Sequence, residues 1–202
     1  MKLYYSPGAC SLSPHIVLHE SGLPHEAIAA PTKTHKLPDG SDYYQVNPLG
    51  YVPLLELDDG QRLREGPAIV QYLADRVPEK KLAPAWGTME RYRLLEWLTF
   101  IGTEIHKGFS PLCNAAMPAE GKQLARDRLA QRLKWLDGEL AGKTYLLGAD
   151  FSVADAYLFT VLNWTKPTQI DISGLANLVA YHARVGARPA VQAAMRHEGL
   201  IK

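Results

Sequence analysis

Near residue 80 the order of apolar and polar positions along the chain changes character. Before it, short β-like runs alternate with helical ones: Lys2 to Tyr5, a helical pattern from about Leu12 to Ser21, "HEAIAAP", "VPLLEL", "QRLRE" and the helical "GPAIVQYLADRV". The order is β-α-β followed by β-β-α, and "DDG" at Asp58 to Gly60 supplies a hairpin turn between the last two strands. The polar, proline-bearing "PEKKLAPAWG" reads as a linker. Beyond it the periodicity is helical almost throughout. Leu94, Leu98, Ile101 and Ile105 recur at spacings of 4, 3 and 4, which puts an apolar stripe on one helix face. Further helices are predicted over 118–141, 153–165 and 175–197. The expected organisation is an α/β domain over 1–80, a linker over 81–87 and an all-α domain over 88–202. An α/β unit of about 80 residues buries only about 60% of the surface its unfolded chain exposes and is marginal alone. It is therefore expected to pack on the helical part, with a ligand cleft between them.

Charge narrows the function classes. Twenty-two Lys and Arg against 21 Asp and Glu leave a formal charge of +1, which gives neither nucleic acid nor an anionic membrane a reason to bind. No apolar run approaches the roughly 20 residues of a membrane span, and the start of the chain lacks the pattern of a signal peptide. A cytoplasmic location is expected. The two cysteines, Cys10 and Cys113, lie far apart and are read as free thiols.

Cys10 stands where a strand has ended and a helix begins, in "MKLYYSPGACSLSPH". Pro7 and Gly8 break the strand, Ser11 and Ser13 are candidate caps, and Pro14 falls in the first helical turn, where its missing N–H does little harm. A helix N-terminus favours a thiolate, but the dipole contributes only about 0.3 to 1 kcal/mol. One pKa unit corresponds to roughly 1.36 kcal/mol. The dipole alone therefore moves a thiol by less than a unit, and strong activation needs a further cation or donor. A cysteine merely packed under the loop is the competing reading at this point.

Two further stretches bear on that choice. "NPLGYVPLLELDDG" puts Pro53 at the head of a strand, where it costs no central ladder bond and where a cis bond is affordable, so Tyr51 and Val52 can offer backbone groups to an extended ligand. "REGPAIVQYLAD" starts a helix at Gly66 and Pro67 with Glu65 just before it, which leaves amide donors for a carboxylate and a carboxylate for an amine. A thiol, a strand edge and a zwitterion site together suit a small sulfur-bearing peptide.

"KLYYSPGACSLSPHI", "NPLGYVP", "EGPAIVQYLAD", "HKGFSPL", "FSVADAYLF" and the closing "EGLIK" resemble the bacterial beta-class glutathione transferases, in the same order and over essentially the whole chain. The resemblance implies a thioredoxin-like N-terminal domain, an all-helical C-terminal domain carrying the electrophile site, a homodimer, and a glutathione site beside Cys10. Val52, before the presumed cis-Pro53, then matches the residue whose backbone pairs with the cysteinyl part of glutathione, with Tyr51 beside it. Glu65 and Gly66 match the γ-glutamyl site. Where the family presents a lysine to the glycyl carboxylate, this chain reads "TKTHKLP", with His35 at that position and Lys36 next to it. His35 is expected to donate a hydrogen bond and Lys36 to add charge.

From the helical domain, Thr99, Thr103 and His106 are spaced 4 and 3 and share a face distinct from the apolar stripe. The resemblance implies that this stretch reaches the glutathione site, with contributions from Glu104 and Lys107. Thr99 stands where the family often has an amide side chain. His106 is expected to donate a hydrogen bond to a sulfur anion or to act as acid or base.

Other features are read as structural. His15 and His19 are four apart, a metal-like spacing, but no third ligand or intervening glutamate accompanies them, so no metal is expected. "SVAD" at Ser152 to Asp155 is a capping box. Trp97 with Phe100, Trp164 with Tyr157, and Cys113 are read as core or interface. The function expected is conjugation of reduced glutathione to small hydrophobic electrophiles, with thiol–disulfide or dehalogenation chemistry at Cys10. A glutaredoxin-like monothiol oxidoreductase and a noncatalytic glutathione-binding module of the same fold are the alternatives; Ser13, standing where a second cysteine would be, rules out dithiol chemistry.

Overall fold

Leu3, Tyr4 and Tyr5 are consecutive and all buried, so both faces of strand β1 (Lys2–Tyr5) are covered. The computed structural model, which describes residues 1–202, makes β1 an inner strand of a four-stranded sheet ordered β2-β1-β3-β4, with β2 Glu26–Ala29, β3 Leu54–Glu56 and β4 Arg62–Arg64. β1 pairs with β2 in parallel, with Leu3 opposite Ala27, and antiparallel with β3, with Leu3 opposite Leu55. A parallel pair needs a crossover, and helix α1 (Leu12–Ser21) provides it. The expected turn joins β3 to β4: Gly60 adopts φ 82° and donates to the Leu57 carbonyl at 3.0 Å. Helix α2 (Gly66–Asp75) buries Ile69, Val70, Leu73 and Ala74 along one stripe.

The chain divides into two compact units, Met1–Ala83 with Ala187–Lys202, and Pro84–Gly186. The first break falls within the expected linker. The second has no counterpart in the expected organisation, because the segment 175–197 is not one helix. It is α7 (Ala176–Gly186) and α8 (Pro189–His197), interrupted where Arg188 is extended, the conformation imposed on a residue before proline. The C-terminal segment then belongs with the sheet for identifiable reasons. Arg188 makes a two-pronged ion pair with Glu20 at 2.6 and 2.9 Å, and Glu198 meets the buried His15 at 2.9 Å.

The second unit holds α3 (Met89–Phe100), a π-helical turn (Ile101–His106), α4 (Lys107–Cys113), α5 (Ala119–Glu139), α6 (Val153–Leu162) and α7. The stripe of Leu94, Leu98, Ile101 and Ile105 is buried as its spacing predicts. Every residue of α6 is buried, and its start carries the predicted capping box. Asp155 accepts from the Leu146 and Ser152 amides and from the Ser152 and Tyr181 hydroxyls at 2.8–2.9 Å, so one buried carboxylate fixes three segments. No helix is long and apolar enough to cross a membrane.

Candidate active site

The loop from Ser6 to Ser11 is built to present a side chain at its end. Ala9 donates to the Ser6 carbonyl at 3.0 Å, Ser6 donates its amide to Ser11 Oγ at 3.0 Å, and Ser11 Oγ donates back to the Ser6 carbonyl at 3.2 Å. Ser11 therefore staples the loop and does not cap α1, and the Ser13 hydroxyl is buried without a partner; both expected caps are absent. Gly8 takes φ 70°, open to glycine at no steric cost, and its amide donates to Glu198 Oε2 at 2.9 Å. Cys10 is left half-buried, with Sγ 3.3 Å from the Val52 carbonyl oxygen. Only the protonated thiol can donate in that contact.

The Val52–Pro53 peptide bond is cis. Ahead of it, the Tyr51 carbonyl accepts from Tyr43 Oη at 2.8 Å and Asn47 Nδ2 at 2.7 Å, so this carbonyl is already used. The Val52 carbonyl meets Cys10, and its N–H has no partner within the chain. Glu65 precedes α2 at φ 68°, a conformation that side chains rarely adopt, and its carbonyl receives the amides of Ala68 and Ile69. Pro67 has no N–H, so the start of α2 keeps one free amide, that of Gly66, where several were expected. A Cβ on Gly66 would stand 3.9 Å from Pro53, which places the helix start beside the Val52–Pro53 turn. His35 stacks on Tyr44 with ring centroids 4.5 Å apart, and Gly50 lies so close that a Cβ there would come within 2.9 Å of the imidazole. The residue at the family's lysine position is thus held against the segment leading to Val52, and Lys36 beside it is exposed.

In the second unit the expected polar face is reshaped by the π turn, whose wider turn no longer superposes residues three and four apart. Thr103 bonds the Thr99 carbonyl at 3.0 Å, and both are exposed. Glu104 is clamped by Arg128 at 3.0 Å and Arg132 at 2.7 Å, hydrogen bonds that hold its carboxyl below the ordinary range; its charge is balanced inside this unit. Lys107 is exposed. His106 turns Nδ1 to Tyr157 Oη at 2.6 Å and sets its ring edge-on to Trp164, 4.9 Å between centroids. Burial first, and the Lys107 charge second, push the His106 imidazole down to about 4, so it is neutral at pH 7. Neutral His106 can donate a hydrogen bond but is too weak a base to take a proton efficiently near neutrality.

His106 lines a cavity of about 600 Å³ with Phe109, Leu112, Cys113, Arg126 and Trp164 among its walls. From the sequence, Trp164 and Cys113 read as packing residues, and neither Phe109 nor Arg126 stands out. The signal available was weak: a cavity wall and a core stripe have the same apolar pattern.

Two family models match the chain: Glutathione S-transferase, N-terminal domain, over residues 8–76, and Glutathione S-transferase, C-terminal domain, over residues 100–189. Glutathione S-transferase GstA of Escherichia coli O157:H7 is 44% identical over 99% of this chain and 100% of its own. A sphingomonad glutathione S-transferase solved in complex with glutathione is 47% identical, covers 100% of both chains and superposes with a TM-score of 0.95. The chain belongs to the glutathione S-transferase family; it is a transferase with a thioredoxin-like N-terminal fold and an all-helical partner, and glutathione is its co-substrate. Within that family it is of the bacterial beta class, which the beta-class glutathione S-transferase of Sphingomonas chungbukensis represents at 47% identity, 100% coverage of both chains and a TM-score of 0.96.

Proposed function

We propose that this transferase conjugates reduced glutathione to small hydrophobic electrophiles, with Cys10 as the residue that meets the glutathione sulfur. The observation that carries this reading is the 3.3 Å contact between Cys10 Sγ and the Val52 carbonyl. It sets the thiol beside the Val52 segment, whose N–H is unused, where the cysteinyl part of an extended tripeptide pairs. Glu65 takes the γ-glutamyl amine, the Gly66 amide takes the carboxylate at its helix start, and His35 with Lys36 takes the glycyl carboxylate. Two thiolates side by side repel, so Cys10 keeps its proton and donates it in a hydrogen bond to the glutathione anion. His106, neutral and bonded to Tyr157, serves as a hydrogen-bond donor, and the cavity it shares with Phe109 and Trp164 takes the apolar body of the electrophile. Thr99 and Thr103 add hydroxyl contacts, whereas Glu104, already paired with two arginines, acts through the position of its helix.

The half-exposure of Cys10 favours a second activity on the same site. Its thiolate attacks the glutathione sulfur of a mixed disulfide, which releases the substrate thiol and leaves a Cys10–glutathione disulfide. A second glutathione thiolate resolves it, regenerating Cys10 and leaving as glutathione disulfide. The protein works as a cytoplasmic homodimer, a reading supported by the exposed Trp86, Met89 and Tyr92, each more than half accessible. Assays with an aromatic halide and with a mixed disulfide test the reading. A noncatalytic module binds glutathione and turns over neither, and a glutaredoxin-like enzyme turns over only the disulfide.

A further inference from the structure

On α1, one turn past the Cys10 loop, the two histidines that share a face do not stand alone. His197, the last residue of α8, brings a third imidazole to them, with ring centroids of His15 and His197 4.9 Å apart and of His15 and His19 5.2 Å apart. One nitrogen from each of the three lies within 4.8 Å of the others. His25 closes the group, edge-on to both His15 and His19 at 6.0 and 5.5 Å between centroids.

The protons on these rings are arranged for a ligand. His15 is fully buried, and its Nδ1 donates to Glu198 Oε1 at 2.9 Å, so that Nε2 is the atom left for a ligand; it has no hydrogen-bond partner in the protein. His19 Nε2 is likewise buried and without a partner. Burial, then the neighbouring imidazoles, push His19 down to about 4, so it is neutral at pH 7 with a lone pair to offer. His25 donates Nδ1–H to the Leu23 carbonyl at 2.9 Å and carries its own lone pair on Nε2. Buried imidazole nitrogens with no donor facing them forfeit the hydrogen bonds they had in water, a cost an apolar residue of similar size would avoid. A carboxylate that fixes the tautomer and aim of one imidazole is the usual support behind a metal-ligating histidine. Besides histidines, the cluster faces the Tyr5 ring, 5.3 Å from His15, the Met1 ammonium, whose charge acts on His25, and Glu198, which also holds the Gly8 amide at 2.9 Å.

We infer that His15, His19 and His197 form a binding site for one zinc-like divalent transition-metal ion, with a fourth position left to water or to His25. Three imidazoles suit this class of ion, and hard cations that demand oxygen ligands find none in the tripod. Zinc–nitrogen bonds near 2.05 Å in a tetrahedron separate the donor atoms by about 3.4 Å. The nitrogens lie within 4.8 Å of one another, so binding requires the half-buried His19 and the exposed His197 to rotate toward the fixed His15. The site is separate from the glutathione site and stands whether or not the proposed chemistry is right. It is tied to the Cys10 loop through a single carboxylate, Glu198, which meets His15 with one oxygen and Gly8 with the other.

The test uses the full chain without a polyhistidine tag and without glutathione, titrated with cobalt(II) at neutral pH. One equivalent is expected to give the intense visible absorption of four-coordinate cobalt, and one equivalent of zinc to abolish it. His19→Gln and His197→Gln, both at partly or fully exposed positions, are each expected to weaken cobalt binding by at least about 10-fold. Cys113→Ser is expected to leave it unchanged, and circular dichroism checks that each variant is folded. Three results overturn the inference: no stoichiometric spectrum, a thiolate-to-cobalt band in place of the nitrogen-ligated one, or cobalt affinity in both histidine variants unchanged from that of the unsubstituted chain.

Discussion

The Cys10 site and the His106 cavity are built from different materials. Around Cys10, the groups offered to a ligand are mostly backbone: the Val52 N–H and carbonyl, the Gly66 amide, and a loop stapled by Ser6 and Ser11. Around His106 they are side chains of α4, α5 and the segment after α6, with Phe109, Arg126 and Trp164 forming the walls. Backbone groups recognise what is constant in a substrate, and their positions follow from turns and helix starts. Side-chain walls set which variable partner fits and can change without disturbing the fold. The proposed function divides the same way, with glutathione on main-chain groups and the electrophile against side chains.

The sharpest way to break the comparison is at the thiol. Cys10→Ala is expected to abolish turnover of a glutathione mixed disulfide while conjugation of an aromatic halide falls by only about 10-fold, because one hydrogen bond to the sulfur anion is lost, about 1.5 kcal/mol. Undiminished disulfide exchange in this variant excludes Cys10 as the attacking thiol. Next in size, Glu65→Ala removes a charge-assisted contact of about 1.5 to 3 kcal/mol, so the KM for glutathione is expected to rise about 10- to 100-fold with the KM for the electrophile unchanged. The mirror experiment is Trp164→Ala, expected to raise the electrophile KM by about 10-fold and to leave glutathione binding alone; a change in both constants would show that the two regions are not separable.

The smallest effect is on stability. His19 and His106 are both pushed down to about 4, and His25 and His182 are lowered too, each chiefly by burial. The unfolded chain binds protons near 6.5 and the folded one does not, so this contribution is fully present above about pH 6.5 and is lost as the pH falls toward 4. The urea midpoint is expected to drop between pH 7 and pH 5, and to drop less steeply in His106→Asn. An unchanged slope in that variant contradicts the assigned burial effect.

Much of the first site was legible in the sequence because its chemistry is punctuated by residues with few conformations. Pro53, Gly66 and Pro67 mark a turn and a helix start, and the cysteine between "SPGA" and "SLSPH" falls on a boundary that any reading would find. The parts that escaped are long-range. Nothing local says that the Tyr51 carbonyl is consumed by Tyr43 and Asn47, or that Glu104 answers to two arginines of α5. The π turn at Ile101–His106 has no composition signal, and the face shared by Thr99, Thr103 and His106 follows from a 3.6-residue period that this turn does not keep. The third histidine of the α1 cluster lies 178 positions beyond His19, which a search for local ligand spacing cannot reach. The cavity walls were hidden because Phe109 and Trp164 look like core residues in any pattern of apolar positions.

The central claim is that the tripeptide lies along Val52 with its sulfur at Cys10. A crystal of the protein soaked in glutathione tests it directly. The account predicts the cysteinyl backbone paired with the Val52 N–H and carbonyl, the γ-glutamyl group at Glu65 and Gly66, and the sulfur within hydrogen-bonding reach of Cys10 Sγ. Glutathione bound with its sulfur away from Cys10, or no glutathione at this segment at saturating concentration, contradicts it.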